Sequence, residues 1–112
     1  MAAGYLDLFI DQGQDFSATI TLDNMNGGSY NTAGYFAEGT IKSSYISANA
    51  AAYFNTTIDV TGDLTISLDY LTTQNLSYGR YVYDVFLINP ANTHSKVLEG
   101  IVYLNPSATT FT

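Results

Sequence analysis

Phe16-Ser17-Ala18-Thr19-Ile20-Thr21-Leu22 decides the fold, because apolar Phe16, Ala18, Ile20 and Leu22 alternate with hydroxylated Ser17, Thr19 and Thr21. Successive side chains of an extended chain point to opposite faces, so a strict period of two marks a strand with one buried and one wet face. Upstream, Leu6, Leu8 and Ile10 alternate with Asp7, Phe9 and Asp11 and stop at Gln12-Gly13-Gln14, a first strand followed by a turn. Downstream, Asp23-Asn24-Met25-Asn26-Gly27-Gly28 ends the run with turn-forming residues.

The same period recurs along the chain. Tyr35, Ala37, Gly39 and Ile41 alternate with Phe36, Glu38, Thr40 and Lys42, predicting a third strand over 35–45 with Glu38 and Lys42 outward. The segment 48–52 is too short for a core helix and reads as a connection. Phe54, Thr56, Ile58 and Val60 alternate with Tyr53, Asn55, Thr57 and Asp59, and Thr61-Gly62-Asp63 turns the chain into Leu64, Ile66 and Leu68 as a hairpin. Residues 70–76 read as a short helical crossover pinned by Leu71 and Leu76. From Tyr81 to Ile88, and again from Val97 to Leu104, apolar residues occupy both faces, as expected of central strands. Asn105-Pro106 ends the last, since proline cannot donate to a ladder.

Seven short strands spaced by turn signals at about 8–12 residues predict an all-β, seven-strand antiparallel immunoglobulin-like β-sandwich. We expect it to occupy residues 1–106, with 107–112 as a short C-terminal tail. Its core is expected to draw on Phe16, Ala18, Ile20, Leu22, Leu64, Ile66, Leu68, Tyr81, Val85 and Val102. Tyr81, just past Gly79 at a strand start, fits a tyrosine corner, in which the hydroxyl ties the strand to the preceding loop.

Composition closes several functional classes. The 112 residues contain no cysteine, which removes disulfides, thiolate nucleophiles and thiolate metal sites. Ten carboxylates against Lys42, Arg80 and Lys96 give a net charge of −7, which opposes nucleic acid and anionic membranes as partners. The start Met1-Ala2-Ala3-Gly4-Tyr5 lacks the basic and apolar regions of a secretory signal, and no stretch reaches the ~20 apolar residues that span a bilayer. Synthesis in the cytosol is therefore expected.

No catalytic, cofactor or metal site is expected. His94, the sole histidine, falls in the polar loop Asn92-Thr93-His94-Ser95 without an acidic neighbour to orient it. No Gly-x-Ser-x-Gly segment presents a serine nucleophile. The loop at 23–27 puts Met25 and Gly27 where a calcium loop needs oxygen ligands. Asp11 with Asp15, and Asp59 with Asp63, flank glycine turns and read as turn caps. Asp84 and Glu99 interrupt two otherwise apolar strands, where unpaired charge is expensive, so both should have partners among Arg80, Lys96 and backbone donors. Tyr30, Tyr35, Tyr45, Tyr53 and Tyr78 form a candidate interaction surface.

The pieces Ile10-Asp11-Gln12-Gly13-Gln14-Asp15-Phe16, Ala33-Gly34-Tyr35, Gly62-Asp63-Leu64-Thr65-Ile66-Ser67-Leu68, Gly79-Arg80-Tyr81-Val82-Tyr83-Asp84 and Leu98-Glu99-Gly100, in that order, resemble a family of small immunoglobulin-like virion structural proteins of tailed bacteriophages and prophages. The resemblance covers nearly the whole chain and singles out Tyr81, Asp84, Glu99 and Gly100 as its structural motif. It implies a non-enzymatic tail or baseplate protein that docks on other virion proteins in multiple copies. Capsid decoration is the nearest alternative, and a carbohydrate-binding module presenting coplanar tyrosines to a glycan is the alternative of another class. The sequence departs from that family at Ala108-Thr109-Thr110, where relatives close on basic residues, and in its Ala- and Asn-rich middle connection.

Overall fold

A computed structural model describes residues 4–22, 33–60 and 62–109. The strands are β1 (Gly4–Tyr5), β2 (Leu8–Asp11), β3 (Phe16–Thr21), β4 (Phe36–Lys42), β5 (Ala52–Tyr53), β6 (Asn55–Ile58), β7 (Asp63–Leu68), β8 (Gly79–Ile88) and β9 (His94–Asn105), with one helix, α1 (Tyr70–Asn75), before β8. They form a sandwich of two sheets. The larger runs β1-β9-β8-β4-β5, with β2 also on β9, and the smaller runs β3-β7-β6.

These nine segments are the seven expected strands, two of them interrupted. β1 and β2 share one register on β9, pairing Gly4 with Leu98 and Leu8 with Val102, and both run parallel to it. That parallel edge corrects the all-antiparallel expectation, which holds for the other pairings. Period-two patterning fixes which face a strand buries but carries no sign for its direction.

The second interruption is a change of sheet. Ala52–Tyr53 lies beside β4, whereas Asn55–Ile58 lies beside β7. Phe54, at the crossing, is buried, donates its N–H to Gly39 O at 3.0 Å, and meets the Tyr83 ring edge-on at 5.7 Å. A Cβ on Gly39 would come within 2.9 Å of the Phe54 ring, so glycine at 39 lets the aromatic close the sandwich there.

The core lies between the sheets and holds Leu22, Leu64, Ile66, Leu68, Val85 and Val102 as expected. Phe16, Ala18, Ile20 and Tyr81 pack against it but stay half-buried, the first three because β3 is an edge strand. In β9 a bulge opposite Val85 and Phe86 leaves Val97 unpaired, so adjacent Val97 and Leu98 are both buried. The last strand begins at His94, earlier than the expected Val97, which makes His94 an exposed strand residue rather than a loop residue.

The crossover helix is anchored only partly as expected: Leu76 packs against the core. Leu71 is 44% exposed, and the buried anchor is Thr73. Its Oγ1 accepts from Gly13 N at 3.0 Å and donates to Gln14 O at 2.9 Å. Gln12 Nε2 donates to Leu76 O, and Asp15 Oδ1 accepts from Tyr70 N, so the Gln12–Asp15 turn grips both ends of α1. Asp69 caps the helix by accepting from Thr72 N at 2.8 Å, and that donor holds its carboxyl below the usual carboxylate range.

Candidate functional site

The resemblance-bearing strands β8 and β9 pair along most of their length, and their outward residues define an open face of the larger sheet. Register aligns one row across it: Tyr53 of β5 opposite Thr40 of β4, Thr40 opposite Asp84, Asp84 opposite Glu99, and Glu99 opposite Tyr5 of β1. Two carboxylates thus stand side by side at the centre of the row, with a tyrosine at each end.

Asp84 and Glu99 are only half-buried, not sealed in a core. Lys96 Nζ lies 4.0 Å from Asp84 Oδ2, and no cation stands within ion-pair distance of Glu99 among the described residues. The same ammonium sits 5.8 Å from the Tyr45 ring centre and 6.0 Å from that of Phe86. Arg80, the other candidate partner, pairs across the ladder with Tyr103 instead. Adjacent like charges destabilise a ladder, and the open face keeps that cost small by leaving both carboxylates in reach of water.

Around this row lies an aromatic rim that the sequence reading did not single out. Phe9, 69% exposed, stacks on Tyr103 with ring centres 5.0 Å apart and planes 12° from parallel. Tyr5 is exposed beside them, and partial desolvation, first, and the Asp7 carboxylate, second, raise its phenol above the ordinary value. Tyr45 shifts the same way, chiefly through desolvation and then through Glu99 and Asp84. Glu38, Thr40, Lys42, Tyr45, Asp84 and Phe86 line a shallow groove of about 240 Å³. The available signal was Phe9 itself, an aromatic at an outward strand position.

The candidate tyrosines do not act as one platform. Tyr45 and Tyr53 flank Thr40 and are exposed, whereas Tyr78 is exposed at the far end of β8, before Gly79. Tyr35 is half-buried and packs against the core, and Tyr30 lies outside the described residues.

The remaining motif residues hold the sheet together. Tyr81 Oη donates to Ser77 O at 2.6 Å, the tie that a tyrosine corner makes. Tyr83 is buried and donates to Leu6 O. A Cβ on Gly100 would fall 2.1 Å from that same carbonyl, so only glycine lets Leu6 pass over β9. With Leu6 O turned toward Tyr83, Ile101 N donates instead to Asp7 Oδ1 at 3.2 Å.

No family model matches the chain, and no curated protein matches it. Among solved structures it is similar to CopC from Methylosinus trichosporium OB3b, at 12% identity over 99% of this chain and 91% of that one, with a TM-score of 0.46. It is also similar to murine CRIg, at 10% identity over 90% of this chain and 92% of that one, with a TM-score of 0.45.

His94 stands at the start of β9 with Nδ1 3.2 Å from Asn92 O. Asp59 Oδ1 accepts from Asp63 N at 3.0 Å and so caps its turn as expected, whereas Asp63 Oδ1 accepts from the Thr21 hydroxyl across the β3–β7 ladder at 2.8 Å and caps none among the described residues. Among the described residues no group of three or more His, Cys, Asp or Glu could hold a metal ion. No helix is long and apolar enough to cross a membrane among the residues described.

Proposed function

We propose that this chain is a non-enzymatic structural protein of a tailed-phage particle, present in multiple copies and docked on a larger tail or baseplate protein through the outer face of its six-stranded sheet. The observation that carries the docking surface is the stack of 69%-exposed Phe9 on Tyr103, next to Tyr5 and the Asp84–Glu99 row. Rigid aromatics with small entropic cost, set beside polar groups that a partner can satisfy, are the usual anchors of protein contacts. The placement in a phage particle rests on the resemblance of the strand motifs.

A binding role suits this geometry better than catalysis, because the paired carboxylates share an open face rather than opposing each other across a cleft. Particles purified from the source phage, analysed by mass spectrometry and electron microscopy, should contain the chain at a repeated tail or baseplate position. Phe9→Ser combined with Tyr103→Ser should strip it from the particle while the isolated domain stays folded. Density on the capsid would relocate the protein as a decoration protein. A particle lacking the chain, or tight binding of a soluble glycan that the same double substitution abolishes, would end the virion reading.

A further inference from the structure

We infer that β3 is an acceptor edge for one extended segment of a partner protein, which adds to the smaller sheet as an antiparallel fourth strand. Among the described residues β3 is an edge strand, paired only with β7. Leu22 N donates to Gly62 O at 2.8 Å, which continues the β3–β7 register. Antiparallel ladders alternate the direction of their backbone groups, so Phe16, Ala18 and Ile20 bond toward β7. Ser17, Thr19 and Thr21 therefore aim their N–H and C=O groups outward.

Natural edges are blunted by charge, proline, bulges or covering segments. Among the described residues the β4 side of the larger sheet is covered: the outer carbonyls of β4 accept from Ala51 N at Ile41, from Phe54 N at Gly39 and from Thr56 Oγ1 at Ala37. The opening edge is broken between β1 and β2, where Leu6 O turns to Tyr83. Among the described residues β3 has none of these devices, and its own six residues are uncharged and free of proline. Its inward side chains are incompletely covered as well, since Phe16, Ala18 and Ile20 are half-buried while their partners Leu68, Ile66 and Leu64 are at most 3% exposed.

The chemistry of the occupant follows from the two faces. Its residues opposite Ser17, Thr19 and Thr21 would extend the hydroxyl ladder that Thr19 makes with Thr65 at 2.9 Å, so threonine or serine suits them. Residues between them would point inward and extend the apolar row. A second copy fits poorly: its β3 carries no basic residue and is flanked by Asp15 and Asp23, so it offers no cation to Asp15 or Asp63. Basic residues flanking the partner strand would meet Asp15 and Asp63 instead.

The test is an NMR titration of the full chain with the blocked peptide Lys-Thr-Val-Thr-Val-Thr-Val-Lys. Amide shifts and slowed hydrogen exchange are expected at Ser17, Thr19 and Thr21, with several-fold weaker binding when both lysines are replaced by glutamate. Thr19→Pro should abolish the effect. Because that variant could unfold, a second arm leaves the protein untouched: N-methylation of the peptide's middle threonine should prevent binding, while N-methylation of the neighbouring valine should not. Absence of shifts at β3, shifts confined to β2 or β9, equal effects of the two methylations, or a dimer of the chain alone that Thr19→Pro dissolves would each overturn the inference. The titration uses no particle component, so a chain missing from particles would end the proposed function without touching this result.

Discussion

Tyr83 reaches across the bare backbone of Gly100 to bond the carbonyl of Leu6, 77 positions earlier in the chain. This contact joins the opening strand, β8 and β9 at one point. It also explains why the motif needs glycine after Leu98-Glu99. The tie turns one backbone acceptor inward and releases Ile101 N to the Asp7 carboxylate.

Gly100→Ala should therefore cost about 3 kcal/mol in a denaturant melt, because the new methyl cannot coexist with Leu6 O and backbone must move. Hydrogen exchange of the amides of Leu8–Asp11 should rise far more than that of β7. Equal protection in variant and parent would show that the opening strand does not depend on glycine at 100.

Tyr83→Phe removes the donor from the part-buried Leu6 O bond and should cost about 1–3 kcal/mol. Burial, and then Asp7, raise the phenol of Tyr83 above its ordinary value of 10.0. The folded chain accordingly holds more protons than the unfolded chain once pH exceeds 10, so stability is full below that pH and falls as pH rises. Melts across alkaline pH should show this decline, and Tyr83→Phe should flatten part of it. A slope unchanged by the substitution would assign the decline to other tyrosines.

Thr73→Val keeps the shape of a buried side chain but strands Gly13 N and Gln14 O, for an expected loss of about 2 kcal/mol. Leu71→Ala, on the exposed side of α1, should stay within about 0.5 kcal/mol of the parent. The reverse order of losses would restore the leucine as the helix anchor.

Ile66→Ala, at a fully buried site in the middle strand of the smaller sheet, should cost about 2–5 kcal/mol. Ile20→Ala, half-buried on the edge strand, should cost about 1–2 kcal/mol by its smaller buried area. Paired chemical melts settle the ranking; equal costs would mean that the β3 edge is covered in the isolated chain.

Glu99→Gln should raise stability by about 0.5 kcal/mol at low salt, because it removes a like charge directly across from Asp84. Added salt should erase the gain. A loss at both salt levels would reveal a partner for Glu99 and return it to the paired, structural role expected from its apolar surroundings in sequence.

Period-two alternation was enough to set the strands, their inward faces and the sandwich, since burial of every second residue is a local property of the pleat. The alternation at 16–22 and the two-faced runs at 81–88 and 97–104 carry that information without any knowledge of neighbours. Other features depended on which segments meet. The parallel opening edge, the sheet change at Phe54, Thr73 as the helix anchor and the Asp84–Glu99 adjacency each arise from pairings between residues distant in the chain. Strand direction and cross-strand neighbours leave no trace in hydrophobic period, because a strand buries the same face whichever way its partner runs. Gly100 shows the division most plainly: its place after Leu98-Glu99 is visible in the sequence, but the reason for it is a carbonyl from the other end of the domain.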